Sequence, residues 1–191
     1  MSLATSDPPR RHRLSVSDYY RMAEVGILAP DARVELIDGE IIDMAPPGSL
    51  RTATVLRLSD ILFRASGDRA SVLVQNPVRL GENSQPQPDL ALLKRRDDFY
   101  SEHLPGARDF LLIVEVADTS LRFDRNTKAA LYAAHDIPEM WLVDLRGRRL
   151  VRYRAPREGL YTQVDEPDLG VPLEISALAG VAVDLQLLFG S

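Results

Sequence analysis

The sequence contains no cysteine, which excludes disulfides, thiolate zinc sites, iron–sulfur clusters and a cysteine nucleophile. Histidine is nearly as scarce. His12, His103 and His135 are scattered along 191 residues, which argues against a histidine-rich zinc site. No apolar run approaches the roughly 18 residues that span a bilayer. The start, MSLATSDPPRRHR, lacks the apolar stretch of a signal peptide. We therefore expect a cytoplasmic protein that does not enter the membrane.

Positive charge is also in deficit, since 23 basic residues face 28 acidic ones and the net charge is −5. This balance argues against a protein that coats nucleic acid by charge alone. It leaves open an enzyme that engages DNA through a local basic patch and a metal ion. Only Lys94 and Lys128 are lysines, and the other 21 basic residues are arginines. A lysine kept against this bias suggests a task for a compact ammonium, whose pKa can be tuned.

The order of apolar and turn residues predicts one α/β domain over residues 14–191, behind a disordered polar arm over residues 1–13. Helical and strand patterns alternate in the middle of the chain, and hairpins lie at both ends. That order is typical of a mixed β-sheet flanked by helices, with hairpin extensions. A strand is expected over residues 70–80, interrupted or placed at an edge by Pro77. A short strand follows at residues 88–93, opened by Asp89.

The segment DFLLIVEVAD, residues 109–118, is the most apolar strand and predicts burial on both faces in the centre of the sheet. Glu115 interrupts it with a carboxylate. Such a group is costly to bury unless it is paired or binds a metal. A helix is expected next, over residues 121–136, and it contains Asp124 and Lys128.

VELIDGEIID, residues 34–43, predicts a hairpin with Asp38-Gly39 at a two-residue turn. Such a turn pairs Ile37 with Glu40, and cross-strand partners share a face. Glu35 and Glu40 should then point to the same side, although the pattern does not tell which of them reaches a site.

Three of these residues could form a metal centre. Asp89 and Glu115 lie at neighbouring strand ends, where carboxylates can hold a hard divalent cation, and Lys128 follows on the next helix. Each also has an ordinary interpretation. Glu115 could be a buried salt-bridge acid, Asp89 a turn residue, and Lys128 the solvated partner of Asp124.

The ordered set VELIDGEIIDM, PPGS, QPDLALL, LIVEVADTS and IPEMWLVD resembles the Uma2 family, also described as DUF820, within the PD-(D/E)XK nuclease superfamily. The resemblance covers roughly residues 15–190. It implies a restriction-endonuclease-like core and Mg²⁺-dependent hydrolysis of DNA phosphodiesters, with Mn²⁺ as a substitute.

The resemblance also implies roles for individual residues. Asp89 and Glu115 become metal ligands, and the carbonyl of Val116 becomes a further one. Lys128 becomes the catalytic lysine, migrated to the helix because Ala117 stands where the superfamily usually has lysine. Glu35 or Glu40 becomes the additional acid of the site.

The chain departs from the family pattern at two places. Arg51 stands where many relatives carry histidine, and Asp118 replaces the first serine of a usual Ser-Pro-Ser. Asp118 could be a further ligand or merely a helix cap. Six arginines also crowd the late hairpin, as a phosphate-contacting edge or as a charged edge that discourages aggregation: Arg146, Arg148, Arg149, Arg152, Arg154 and Arg157.

Two classes of function remain. The first is a metal-dependent endonuclease acting on DNA, for which a homodimer is plausible because cutting both strands usually needs two active sites. The second is a non-catalytic or repurposed protein of the same fold, acting as a regulatory or nucleic-acid-binding module. The complete set of Asp89, Glu115 and Lys128 favours the first, whereas the acidic composition and the absence of lysine two residues after Glu115 favour the second.

Overall fold

A six-stranded mixed sheet organises the computed structural model, which describes residues 11–190. The strands are β1 Val34–Ile37, β2 Glu40–Asp43, β3 Ala70–Val74, β4 Leu90–Lys94, β5 Phe110–Ala117, β6 Glu139–Asp144, β7 Arg149–Arg157, β8 Leu160–Asp165, β9 Leu173–Glu174 and β10 Ala182–Val183. The helices are α1 Val16–Glu24, α2 Ser49–Ser66, α3 Leu121–Phe123 and α4 Ala129–Ala134, with a π-helical segment, Asp124–Lys128, between the last two. Short 3₁₀ turns lie at Gly67–Arg69 and Ala107–Asp109.

The large sheet has the order β3-β4-β5-β6-β7-β8, and only β5 and β6 run parallel. A parallel pair needs a crossover, which the helical stretch from α3 to α4 provides. All eight residues of β5 are buried. This confirms the predicted α/β class with a mixed sheet and an apolar strand at its centre.

Each face of the sheet carries its own core. Leu112, Val114 and Val116 of β5 pack with α2 and the C-terminal segment on one face. Ile113 and Ala117 pack with α4 on the other. Glu115 alternates with this second set, so its side chain points toward the crossover helices.

The predicted hairpin forms with the expected register, in which Ile37 pairs with Glu40 and Glu35 pairs with Ile42. Asp38 and Gly39 both adopt positive φ, as a tight two-residue turn requires. The hairpin is fastened to the body beside it, since the Asp38 N–H donates to Ser84 Oγ at 2.9 Å.

Two elements differ from expectation. The strand predicted over residues 70–80 ends at Val74, because Gln75 takes a positive φ of 48° and Pro77 has no N–H for a ladder. The remaining five residues form an edge strand, as Pro77 suggested. The helix predicted over residues 121–136 ends at Ala134 and contains the π-helical segment.

The predicted disordered arm, residues 1–13, lies mostly outside the described residues, which begin at Arg11. Arg11 and Arg13 run beside the hairpin, where the Arg13 guanidinium donates to the Asp38 carbonyl at 3.0 Å. In residues 11–190, no helix has both the length and the apolar character needed to cross a membrane.

Candidate active site

Glu115 and Lys128 meet in the interior, 13 residues apart in sequence. The ammonium of Lys128 donates to Glu115 Oε1 at 3.1 Å, and the Tyr132 hydroxyl donates to the same oxygen at 2.5 Å. Glu115 is 1% exposed and Lys128 is 4% exposed. A solvated Lys128 on the outer face of its helix is thereby excluded.

The hairpin delivers a second carboxylate to Lys128. Its ammonium donates to Glu35 Oε1 at 2.9 Å, so one lysine bridges acids from β1 and β5. The other oxygen, Glu35 Oε2, is buried and finds no donor among the described residues. A buried carboxylate oxygen without a partner is costly, which marks this position as one that could accept a ligand.

The π-helical segment Asp124–Lys128 helps to aim the lysine. Such segments appear mostly as single turns inside α-helices, frequently at functional sites. Asp124 at its start is also buried and accepts a hydrogen bond from Ser120 Oγ at 2.5 Å. Both ends of the segment therefore present charged side chains to the interior rather than to solvent.

Asp89 lies beside this cluster but has different partners. One of its oxygens, Oδ2, accepts the Val116 N–H at 2.9 Å, which ties it to the residue after Glu115. The Gln75 amide donates to Oδ1 at 3.2 Å. The Arg51 guanidinium lies 2.8 Å from Oδ1 and 3.0 Å from Oδ2, and its Nε donates to the Val116 carbonyl at 3.1 Å.

The structure does not bring Glu40 to the site. Its register places it on the same face as Glu35, but it lies on β2, the outer strand of the hairpin, whereas Glu35 lies on the buried strand β1. Its side chain is 58% exposed and pairs with Arg11 at 3.3 Å. Glu35 is therefore the hairpin acid that reaches the interior.

These side chains border a cavity of about 450 Å³ beside the hairpin. Its polar lining includes Glu35, Arg51, Glu115, Asp118, Asp124 and Lys128. Asp118 points to its rim and pairs with Arg146 at 3.0 Å. Asp89 lies behind Arg51, at 1% exposure.

Four buried carboxylates share two cationic side chains, and the pKa values reflect this imbalance. Burial raises the pKa of Glu115 to about 8, against the opposing charge of Lys128. Burial works against the charge of Lys128, but Glu115, Glu35 and Asp124 outweigh it and raise the lysine pKa. Burial likewise raises the pKa of Asp124. The site thus retains a cationic lysine beside carboxyl groups that resist ionisation.

The donor chemistry fits a hard divalent cation, because carboxylate and carbonyl oxygens are the ligands that Mg²⁺ prefers. The spacing of the acidic side chains, however, does not match that of a metal site. Within residues 11–190, no three His, Asp or Glu side chains lie close enough together to hold a metal ion. Lys128 lies between Glu35 and Glu115, and Arg51 lies between Asp89 and the Val116 carbonyl. Two cationic side chains therefore separate the oxygens that a metal would gather.

Sequence reasoning missed two of the polar partners. Tyr132 carried a detectable signal, since it follows Lys128 by four residues and so shares its helix face. Gln75 carried none, because its contact with Asp89 depends on where the edge strand leaves the sheet. Arg51 was visible only as a departure from a family pattern.

Comparisons with known proteins identify the family and the fold. The sequence model of the Uma2 family, described as "Putative restriction endonuclease", matches residues 16–186. A crystal structure from Anabaena variabilis, titled as a putative nuclease belonging to DUF820, superposes with a TM-score of 0.65 at 15% identity. The match covers 82% of this chain and 89% of that chain, and at this identity it shows the fold alone. The search of curated proteins gives no match.

Proposed function

Because the chain belongs to the Uma2 family, described as "Putative restriction endonuclease", we propose that it hydrolyses DNA phosphodiesters with Mg²⁺ at the cavity beside the hairpin. The observation that carries the proposal is the buried Lys128 ammonium held between Glu35 and Glu115, next to a carboxylate oxygen with no partner among the described residues. A structural ion pair needs one acid for one lysine, whereas this cluster contains more carboxylates than cations.

In this proposal, Asp89, Glu115 and the carbonyl of Val116 hold the cation, and Mn²⁺ can replace Mg²⁺. When bound, the ion supplies Lewis acidity and lowers the pKa of a bound water. Asp89 and Val116 are already linked by a hydrogen bond of 2.9 Å, and Glu115 precedes Val116 on the same strand. The sheet therefore fixes the three donors relative to one another.

Lys128 acts as the positioned cation of the site. Its ammonium is compact, and its two carboxylate partners aim it at the cavity that Glu115 also lines. A preorganised donor of this kind stabilises negative charge that develops during hydrolysis. Tyr132 holds Glu115 through the same oxygen that Lys128 contacts, so it orients the carboxylate.

Duplex DNA is the proposed substrate, and contact with it has to be local because the net charge of the chain is −5. Cutting both strands would be served by two copies of the site in a homodimer.

One observation favours a second candidate function, a regulatory or nucleic-acid-binding module on the same fold. Arg51 already neutralises Asp89, and the described residues contain no group of three acidic or histidine side chains at metal-binding distance. A protein that had abandoned catalysis could keep its buried acids paired in this way.

Calorimetric titration with Mn²⁺ separates the two candidates. We expect the wild type to bind Mn²⁺, and Asp89→Asn and Glu115→Gln each to abolish binding while near-UV circular dichroism stays native. Each change keeps the shape of the side chain but removes charge that a hard cation needs. Asp60→Asn is the matched control, because Asp60 lies exposed on α2 with Arg64.

Plasmid cleavage with Mg²⁺ and then Mn²⁺ completes the test. Metal-dependent cleavage that disappears in Asp89→Asn supports the nuclease. Metal binding that is unchanged in both variants contradicts the proposed ligands. Absence of both binding and cleavage in the wild type supports the non-catalytic module.

A further inference from the structure

Arg51 contacts the same two groups that the proposed function assigns to the metal. Its Nε donates to the Val116 carbonyl at 3.1 Å, and its terminal nitrogen lies 2.8 and 3.0 Å from the two oxygens of Asp89. Guanidinium is planar and presents several donors in a fixed fork, so one side chain can span a carbonyl and a carboxylate at once.

The geometry points to Arg51 as a built-in cation that closes the metal position, so that a divalent ion binds only after displacing the guanidinium. This inference rests on the proposed function, since it concerns the same oxygens. A hard divalent ion needs oxygen ligands at roughly 2.0–2.6 Å. The guanidinium and the ion therefore cannot share Asp89 and the Val116 carbonyl.

The two cations of the site differ in how firmly they are held. The Lys128 side chain is 5% exposed and has a carboxylate on each side. The Arg51 side chain is 19% exposed and lines the cavity, while Asp89 lies buried behind it. Arg51 is therefore the more exposed of the two cations and can rotate its head toward solvent, whereas the Lys128 ammonium is held between two carboxylates.

The position of Arg51 in the chain suits this role. It is the third residue of α2, directly after the Pro46-Pro47-Gly48 break, and α2 packs against the sheet through residues further along. The helix thus fixes the base of the side chain and leaves its head at the cavity. The Val116 carbonyl lies on β5 and Asp89 is held by the Val116 N–H, so displacement requires only the arginine side chain to move.

Displacement has a measurable consequence for affinity. If only a fraction of the molecules has an open metal position, the apparent dissociation constant rises by the inverse of that fraction. Removing the guanidinium should remove this competition. We expect the affinity of Arg51→Gln for Mn²⁺ to be about tenfold tighter than that of the wild type, which corresponds to a wild-type position open in about one molecule of ten.

The experiment is calorimetric titration of the full chain with Mn²⁺, comparing the wild type, Arg51→Gln and the control Arg57→Gln. Arg57 is also half-buried on α2, and it donates to the Leu188 carbonyl at 2.9 Å, away from the cavity. We expect tighter binding only in Arg51→Gln. Thermal melts in EDTA and in Mn²⁺ should show that this variant loses stability without metal and gains more from metal than the wild type.

Arg51→Lys tests the same inference in case Arg51→Gln does not fold. It keeps the positive charge but cannot span Asp89 and the Val116 carbonyl with one ammonium. Its affinity for Mn²⁺ should therefore lie between that of the wild type and that of Arg51→Gln. Unchanged or weaker binding in the Arg51 variants, with a wild type that binds, overturns the inference and leaves the metal site intact. Failure of the wild type and all Arg51 variants to bind Mn²⁺ overturns both the metal-dependent function and this inference.

Discussion

The cavity and the late hairpin handle charge in opposite ways. In the cavity, Lys128 is 4% exposed and its partner Glu35 lies 93 residues away in sequence. In the hairpin of β7 and β8, arginines pair at the surface with acids nearby in sequence. Arg152, for example, meets Asp165 directly across the two strands. Burial rather than sequence separation distinguishes the two regions, since Lys128 and Glu115 are separated by the same 13 residues as Arg152 and Asp165. The side chains of the first pair are 5% and 2% exposed, and those of the second pair are 15% and 39% exposed.

The ion pairs of the late arginines bear on the two interpretations of this region, a phosphate-contacting edge or a charged edge that discourages aggregation. Four of the six are engaged by carboxylates: Arg146 by Asp118, Arg149 by Asp144 and Glu166, and Arg152 and Arg154 by Asp165. Cations already neutralised in this way favour the charged edge over a phosphate-contacting surface. Exposed pairs contribute little to stability, whereas removing one partner of a buried pair is costly.

The largest effect on cleavage is expected from replacing Lys128, one of the two lysines in the sequence. Lys128→Arg should reduce Mg²⁺-dependent plasmid cleavage about a hundred- to a thousandfold, roughly 3–4 kcal/mol, because guanidinium cannot place one compact donor between Glu35 and Glu115. Lys94→Arg is the control, since Lys94 is exposed at the end of β4. Equal cleavage by Lys128→Arg and the wild type would remove Lys128 from the mechanism.

A smaller effect should appear in the pH dependence of stability without metal. Burial raises the Glu115 pKa from 4.5 to about 8, so the folded state binds its proton more tightly than the unfolded chain does between these values. The free energy of unfolding should therefore be highest below about pH 4.5, as far as this group determines it. It should fall by on the order of a few kcal/mol as the pH rises through 8.

Urea denaturation of the wild type and Glu115→Gln in EDTA, from about pH 5 to pH 9, measures this dependence. The amide of the variant stays neutral throughout, so the variant should lack the part of the slope that Glu115 causes. Parallel curves for the two proteins would show that Glu115 does not titrate in this range.

The two hairpin glutamates give a more modest contrast. Glu35→Gln should cost about 1–3 kcal/mol, because it weakens a charged hydrogen bond to buried Lys128. Glu40→Gln should stay within about 0.5 kcal/mol, since Glu40 is exposed beside Arg11. Chemical denaturation at pH 7 compares them, and equal losses would argue against the different placement of the two residues.

The smallest effect is expected in the late hairpin. Arg152→Gln should cost about 1 kcal/mol or less, as for other cross-strand charge pairs at a surface. Its affinity for a DNA duplex, measured by fluorescence anisotropy, should match that of the wild type. A clear loss of DNA affinity would instead restore this hairpin as a phosphate-contacting edge.

Local sequence was sufficient for much of the fold. Asp38-Gly39 determined the hairpin register, since a two-residue turn with positive φ leaves one pairing. The continuous apolar run around Glu115 located the central strand, because only a strand covered on both faces tolerates it. Two predicted boundaries were wrong, the end of the strand before Gln75 and the end of the helix at Ala134. Both depend on where tertiary contacts end.

The sequence by itself also identified Asp89, Glu115 and Lys128 as candidate site residues, through an acid in an apolar strand and a lysine among arginines. Tertiary structure alone decided that Glu35 enters the cavity and Glu40 does not. The register gives both the same face, but only the packing of the hairpin determines that β1 is buried while β2 stays on the outside. It likewise decided that Arg51 lies against Asp89 and Val116, because contacts between a helix and two distant strands leave no periodic signal in the chain.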